Sequence, residues 1–233
     1  MDLTSQTPNH GAGRPTTASP MISPMPPTDS YLVFDVETTG LNPRTDRIIQ
    51  VGLCKVCDGV ATERSGWLVN QEVEVPPEAR MVHGITTADI RARGIAPRES
   101  LARLFEAVAT VPTGVGHNIH QFDILFLVAE SRRFGVPVPE FGHFVDTASL
   151  FKGWKLNLSR KTGETHKQYT DRVLAIRAPG LKYSLPTCLA SLGIQAGETR
   201  LHQAGDDAFL THLIFEALKK VVPADWSAVQ PQA

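Results

Sequence analysis

Short β-branched and aromatic runs separated by turn residues open this chain, and from about residue 97 its apolar positions recur at helical spacing. Tyr31-Leu-Val-Phe-Asp35-Val-Glu37 predicts a strand over 31–37, with a second over 46–56 and a third over 60–69. Gly40 with Asn42-Pro43 marks the first turn, and Asp58-Gly59 a two-residue hairpin turn. The chain therefore begins as an antiparallel meander. Pro76-Pro77 ends that pattern. Residues 77–82 read as one helical turn, and Thr86 or Thr87 as the N-cap of a short helix reaching Arg91.

Leu101, Leu104, Phe105 and Val108 predict a helix over 97–110, and 111–116 a short strand. Phe122, Leu125, Phe126 and Ala129 predict a helix over 119–134, stopped by Gly135 and Pro137. Residues 144–150 read as a strand running into a short helix. Ser184 is placed as the cap of a helix over 185–192, and a last, largely apolar helix covers 205–221. Strands that first follow one another and then alternate with helices indicate an α/β fold.

One stretch departs from these patterns. Residues 152–182 hold eight Lys or Arg against two acidic residues, in a chain whose net charge is −1. Their apolar periodicity is poor, and Gly163 and Gly180 interrupt it, so the stretch reads as a basic insertion, a hairpin or mobile loop able to meet phosphates. The near-zero total excludes a molecule-wide field for polyanions. Residues 1–29, rich in Pro, Ser and Thr, read as a disordered leader, 30–222 as the folded domain and 223–233 as a short tail. Three cysteines give no disulfide framework, and Cys54 and Cys57 fall on opposite faces of a strand. No apolar stretch approaches the roughly 18 residues of a membrane helix and no secretory signal is visible, so the expected location is cytoplasmic.

The candidate chemistry is acidic. Alternate side chains of a strand share a face, so Asp35 and Glu37 project together. Asp123 lies in the first turns of one apolar helix and Asp207 in those of another, with His202 just before it. Carboxylates at the edge of a core repel one another unless cations sit between them, and all-oxygen donors suit Mg²⁺ or Mn²⁺ rather than zinc. A pair of such ions stabilises both oxygens of an in-line phosphoryl displacement.

Phe34-Asp35-Val-Glu37-Thr-Thr-Gly40-Leu41, Gly116-His117-Asn118-x-x-x-Phe122-Asp123 and His202-x-x-x-x-Asp207 resemble the three exonuclease motifs of the DnaQ-like superfamily, in its branch with a catalytic histidine (DEDDh). They occur in the family's order across roughly 31–221. The resemblance implies a ribonuclease H-like mixed sheet, three antiparallel strands followed by parallel ones, flanked by helices. It implies a two-metal 3′–5′ exonuclease that releases nucleoside 5′-monophosphates from single-stranded 3′ ends, DNA foremost. Alternatives are an RNA or oligoribonucleotide exonuclease of the same fold, and a non-catalytic domain that binds strand ends. By resemblance Asp35 bridges both ions, Glu37 and Asp207 complete the first, Asp123 holds the second, and His202 is the general base. Histidine titrates near neutrality, as that role requires. The resemblance also points to Thr38, Leu41, His83 (in His83-Gly-Ile-Thr86), His117, Asn118 and Phe122 for substrate contact, with core packing the alternative for His117 and Phe122; Arg160, Lys161 and Lys167 of the basic stretch join them, with a solvated face as the alternative. Only about a dozen residues follow the last helix, so the expectation is a free-standing nuclease, with a polymerase or repair partner left open.

Overall fold

The structure, a computed structural model, describes residues 30–139, 143–197 and 199–222. The leader 1–29 and the tail 223–233 lie outside the described residues. Five strands form one sheet in the order β3-β2-β1-β4-β5: β1 (Tyr31–Thr38), β2 (Ile48–Cys57), β3 (Val60–Leu68), β4 (Thr113–Gly116) and β5 (His143–Asp146). β1 pairs antiparallel with β2, and β2 with β3, whereas β1, β4 and β5 run parallel. Asp58 and Gly59 both take positive φ, +50° and +73°, as a twisted two-residue hairpin requires.

The helices are α1 (Pro77–His83), α2 (Thr87–Arg93), α3 (Pro97–Ala109), α4 (Asp123–Phe134), α5 (Thr147–Lys155), α6 (His166–Ala175), α7 (Leu185–Ser191) and α8 (Ala204–Lys219). Alternation along β1 sorts the core into two layers. Leu32, Phe34 and Val36 pack with Leu101, Leu104, Phe126 and Leu127 of α3 and α4. Tyr31 and Val33 face the other way, against Phe151, Val173, Leu189, Ile214 and Phe215 of α5 to α8. Asp35 and Glu37 continue that second face, so the strand's pleat aims both carboxylates toward α8.

Several boundaries differ from the sequence reading. Helix α4 starts at Asp123; residues 119–122 form a turn in which Phe122 N–H donates to Asn118 O (3.1 Å). Thr86, not Thr87, caps α2, in a reciprocal capping box with Asp89. The Ser184 hydroxyl makes no cap bond and instead meets Thr187 Oγ1 at 2.9 Å. Residues 152–182 are no hairpin: they hold the end of α5 and the ten-residue helix α6. Only Tyr169, Thr170 and Val173 of α6 are buried, which is why its apolar period is faint. Among the described residues no helix is long and apolar enough to cross a membrane.

Candidate active site

Three elements converge at the carboxyl end of β1. Helix α8 lies across β1 and β2, and its first turn sits directly on the sheet because the strand there has no side chain. Gly52 pairs with Asp35 in β2, and a Cβ on Gly52 would fall 2.0 Å from the Ala204 carbonyl carbon. Gly66 of β3 pairs with Gly52, and Gly205 packs over it, its Cβ position 3.1 Å from Ser65 O. Gln50, opposite Glu37, accepts the Ala204 N–H (3.0 Å), satisfying one of the helix's free donors. Asp206 anchors the same turn through an ion pair with Arg64 and by accepting the Arg200 N–H (2.6 Å). Asp207 is thereby held over the acidic face of β1.

Ligand atoms of Glu37, His202 and Asp207 all lie within 4.8 Å of one another. Asp35 and Asp123 are not in that group, but they are coupled to it electrostatically: Asp123 acts on both Asp35 and Glu37, and Asp35 also feels Glu37 and Asp207. Asp123 is buried at the first position of α4, and its Oδ1 accepts the Val36 N–H (3.0 Å), tying α4 to β1. Burial first, and mutual repulsion second, holds the Asp35 carboxyl well above its ordinary range. The Glu37 carboxyl is raised by the same two causes. Burial also raises Asp123, and pushes Asp207 up to about 6.

His202 is exposed in a left-handed backbone conformation, φ +63°. Its N–H donates to Asp207 Oδ2 (3.1 Å), and its carbonyl accepts from Gln203 Nε2 (3.0 Å). The other carboxylate oxygen, Asp207 Oδ1, is buried with no hydrogen-bond partner among the described residues. Buried carboxylates that repel one another, one with a bare oxygen, fit a divalent cation with oxygen ligands.

The residues assigned to substrate contact fall into three places. Leu41 is 84% exposed just past β1, while Thr38 is buried and donates to Gly40 O (2.6 Å). His83 is buried at the end of α1, close enough to His202 to feel its charge; its Nδ1 accepts the Ile85 N–H (3.0 Å), and burial lowers its pKa. His117 has both ring nitrogens engaged inside the protein, with Thr147 Oγ1 (2.9 Å) and Tyr183 O (2.8 Å), and burial pushes it down to about 4. Asn118, at φ +62°, donates its N–H to Asp146 Oδ1 (3.0 Å), and half-buried Phe122 packs on Phe126 with centroids 4.9 Å apart. Arg160, Lys161 and Lys167 lie before and on α6, which packs on β5, so β4 intervenes between that edge and β1.

Asp146 escaped the sequence reading. It is buried at the end of β5, caps α5 through the Ala148 and Ser149 N–H groups, and holds the loop that leads to Asp123 through Asn118. An aspartate directly before Thr-Ala-Ser is the signal of such a cap. Gln50, Gly52 and Gly66 carried no signal, because their role is to admit a helix that is distant in sequence.

A family model described as exonuclease (RNase_T) matches residues 32–215. Among curated proteins, the chain is 31% identical over 147 residues to a 3′-5′ exonuclease DinG of Bacillus subtilis, a match covering 59% of this chain and 15% of that protein. It is 31% identical over 136 residues to a DNA polymerase III subunit epsilon of Rickettsia conorii, covering 54% of this chain and 58% of that protein. The chain thus spans only part of these relatives. Among solved structures, E. coli exonuclease I in complex with a dA16 oligonucleotide superposes with a TM-score of 0.63 at 19% identity, over 82% of this chain and 41% of that one. That likeness extends the ribonuclease H-like mixed sheet to this chain.

Proposed function

The chain belongs to the exonuclease family, within the DnaQ-like superfamily, and from that premise we propose that it is a two-metal 3′–5′ exonuclease acting on single-stranded DNA ends. The observation that carries the proposal is the buried carboxylate cluster with the His202 loop closed onto Asp207. Asp35, Glu37, Asp123 and Asp207 would hold the ions, magnesium or manganese. Bound there, such ions offset the carboxylate repulsion, acidify a water and stabilise charge on the phosphoryl oxygens.

The remaining work falls to the chain's own groups. His202 takes a proton from the attacking water as its oxygen bonds to phosphorus. The P–O3′ bond breaks, and the departing O3′ takes a proton from solvent, leaving a 3′-hydroxyl on the shortened strand and releasing a nucleoside 5′-monophosphate. Exposure of His202 lets its proton pass to solvent, while the Asp207 bond to its N–H fixes the loop. Leu41 and Phe122 offer apolar contact to the terminal nucleotide.

The test is degradation of labelled single- and double-stranded DNA and RNA with Mg²⁺, Mn²⁺ or chelator. Single-stranded DNA should be shortened from its 3′ end, and chelator should stop the reaction. Asp35→Ala should lower turnover by roughly 100-fold or more, and His202→Ala by about 100- to 10,000-fold. Undiminished degradation by the Asp35→Ala protein would refute the proposal.

A further inference from the structure

Past His202 the same loop borders a second concavity, which the reaction above does not use. Its volume is about 510 Å³. Its walls are the end of α1, Asp89 and Arg93 of α2, and Arg200, Leu201 and Gln203 before α8, over Gln50 and Leu68 of the sheet. Three guanidiniums, of Arg80, Arg93 and Arg200, line it against one carboxylate, Asp89. That carboxylate is already committed, to Arg93 (2.7 Å) and to the Thr86 capping box. The side chains of Arg80 and Arg200 make no hydrogen bond or ion pair among the described residues.

Apolar groups stand beside these charges. Met81 is 80% exposed, and Val82 and Leu201 are exposed too. Large apolar side chains left in water next to uncompensated arginines match what a single strand offers, phosphates for the charges and bases for the apolar surfaces. The pocket is also joined to the acidic cluster. Gln203 Nε2 donates to His83 O (2.9 Å) and to His202 O (3.0 Å), so the loop carrying His202 is one wall of both.

We propose that this pocket is a backbone-phosphate subsite for the strand whose 3′ end occupies the acidic cluster, with Arg80 and Arg200 as its anion-binding groups and Met81 and Leu201 as the surface for the adjoining base. The assignment rests on the exonuclease reading. A released mononucleotide carries the same phosphate chemistry, and the experiment separates the two sources.

The full-length protein and its Arg80→Gln/Arg200→Gln variant are compared on a single-stranded DNA 16-mer and on thymidine 5′-monophosphate p-nitrophenyl ester, which has no upstream phosphate. The ratio of kcat/KM on the 16-mer to that on the ester should fall about tenfold at moderate salt, and the slope of log kcat/KM for the 16-mer against log salt should flatten by about 1.4, two contacts at about 0.7 each. Arg80→Lys/Arg200→Lys should keep the wild-type slope. An unchanged ratio and slope would overturn the subsite, as would equal losses on both substrates. Altered inhibition by thymidine monophosphate with unaltered strand kinetics would give the pocket to free nucleotide and overturn the strand assignment. A wild-type protein inactive on both substrates would refute the exonuclease reading itself, a result distinct from any of these.

Discussion

Asp207 has one oxygen bonded to the His202 N–H and one buried without a partner among the described residues. Metal-free, it is a cost to the fold, because burial opposes its charge and that charge in turn opposes ionisation of Glu37. Asp207→Asn should therefore melt at a higher temperature than wild type in chelator, and gain less from added Mg²⁺, since ligand binding to the native state alone is what raises stability. Differential scanning calorimetry with and without Mg²⁺ checks both signs. Protonation gives a third expectation. Burial holds the Asp207 carboxyl at about 6 in the folded chain, above its ordinary value of 3.8, so the folded chain binds more protons between those limits. Stability then falls as pH rises through that window, and Glu37, also raised, extends the fall upward. Chelated protein should lose melting temperature from about pH 5 to pH 8, with Asp207→Asn flatter over the lower part. A flat wild-type profile would contradict a buried carboxylate cluster.

At the scale of elements, the site depends on how closely the start of α8 approaches the sheet. Gly52→Ala puts a methyl 2.0 Å from the Ala204 backbone, and neither backbone can yield as a side-chain tip would. The first turn of α8 must lift, carrying His202 and Asp207 away from Glu37. The variant should lose at least about 1–3 kcal/mol of stability in urea unfolding, and lose turnover beyond what the remaining folded fraction explains. Strands β1 to β3 and helices α3, α4, α7 and α8 were legible in the sequence, because each has a marked apolar run or period and punctuating Gly or Pro. Helix α6 was not, since it buries so little; its readable signal was the capping box, Thr165 with Gln168 three residues on. The acidic residues were legible as a set because carboxylates beside apolar partners are conspicuous. Gly52, Gly66 and Gln50 were not, because a contact between β2 and a helix some 150 residues later leaves no local pattern.

For the whole molecule, a net charge of −1 means that any attraction for a strand is local. The sheet order puts the acidic cluster of β1 between two basic regions, the arginine pocket toward β2 and β3 and the 152–182 stretch against β5. The formal excess in that stretch overstates what faces outward. Lys152 is buried, its ammonium donating to Leu174 O (2.9 Å) and Ile176 O (2.7 Å). Arg172 holds Glu164 through two bonds, 2.6 and 2.7 Å, and Lys167 pairs with Asp171 at 2.6 Å. The last pair is exposed on both sides, and such pairs contribute little, about 0–1 kcal/mol, so Lys167 can exchange its partner for a phosphate. Replacing Arg160, Lys161 and Lys167 together by Gln should therefore weaken strand binding and flatten the salt slope by up to about 2, near 0.7 for each phosphate released. Titrating kcat/KM for a single-stranded 16-mer with KCl measures it. An unaltered slope would remove the stretch from the substrate path and leave the arginine pocket as the strand's route away from the cluster. Flattening in both sets of variants, additive when they are combined, would mean that the strand spans the sheet from β5 to β3, because only independent contacts add.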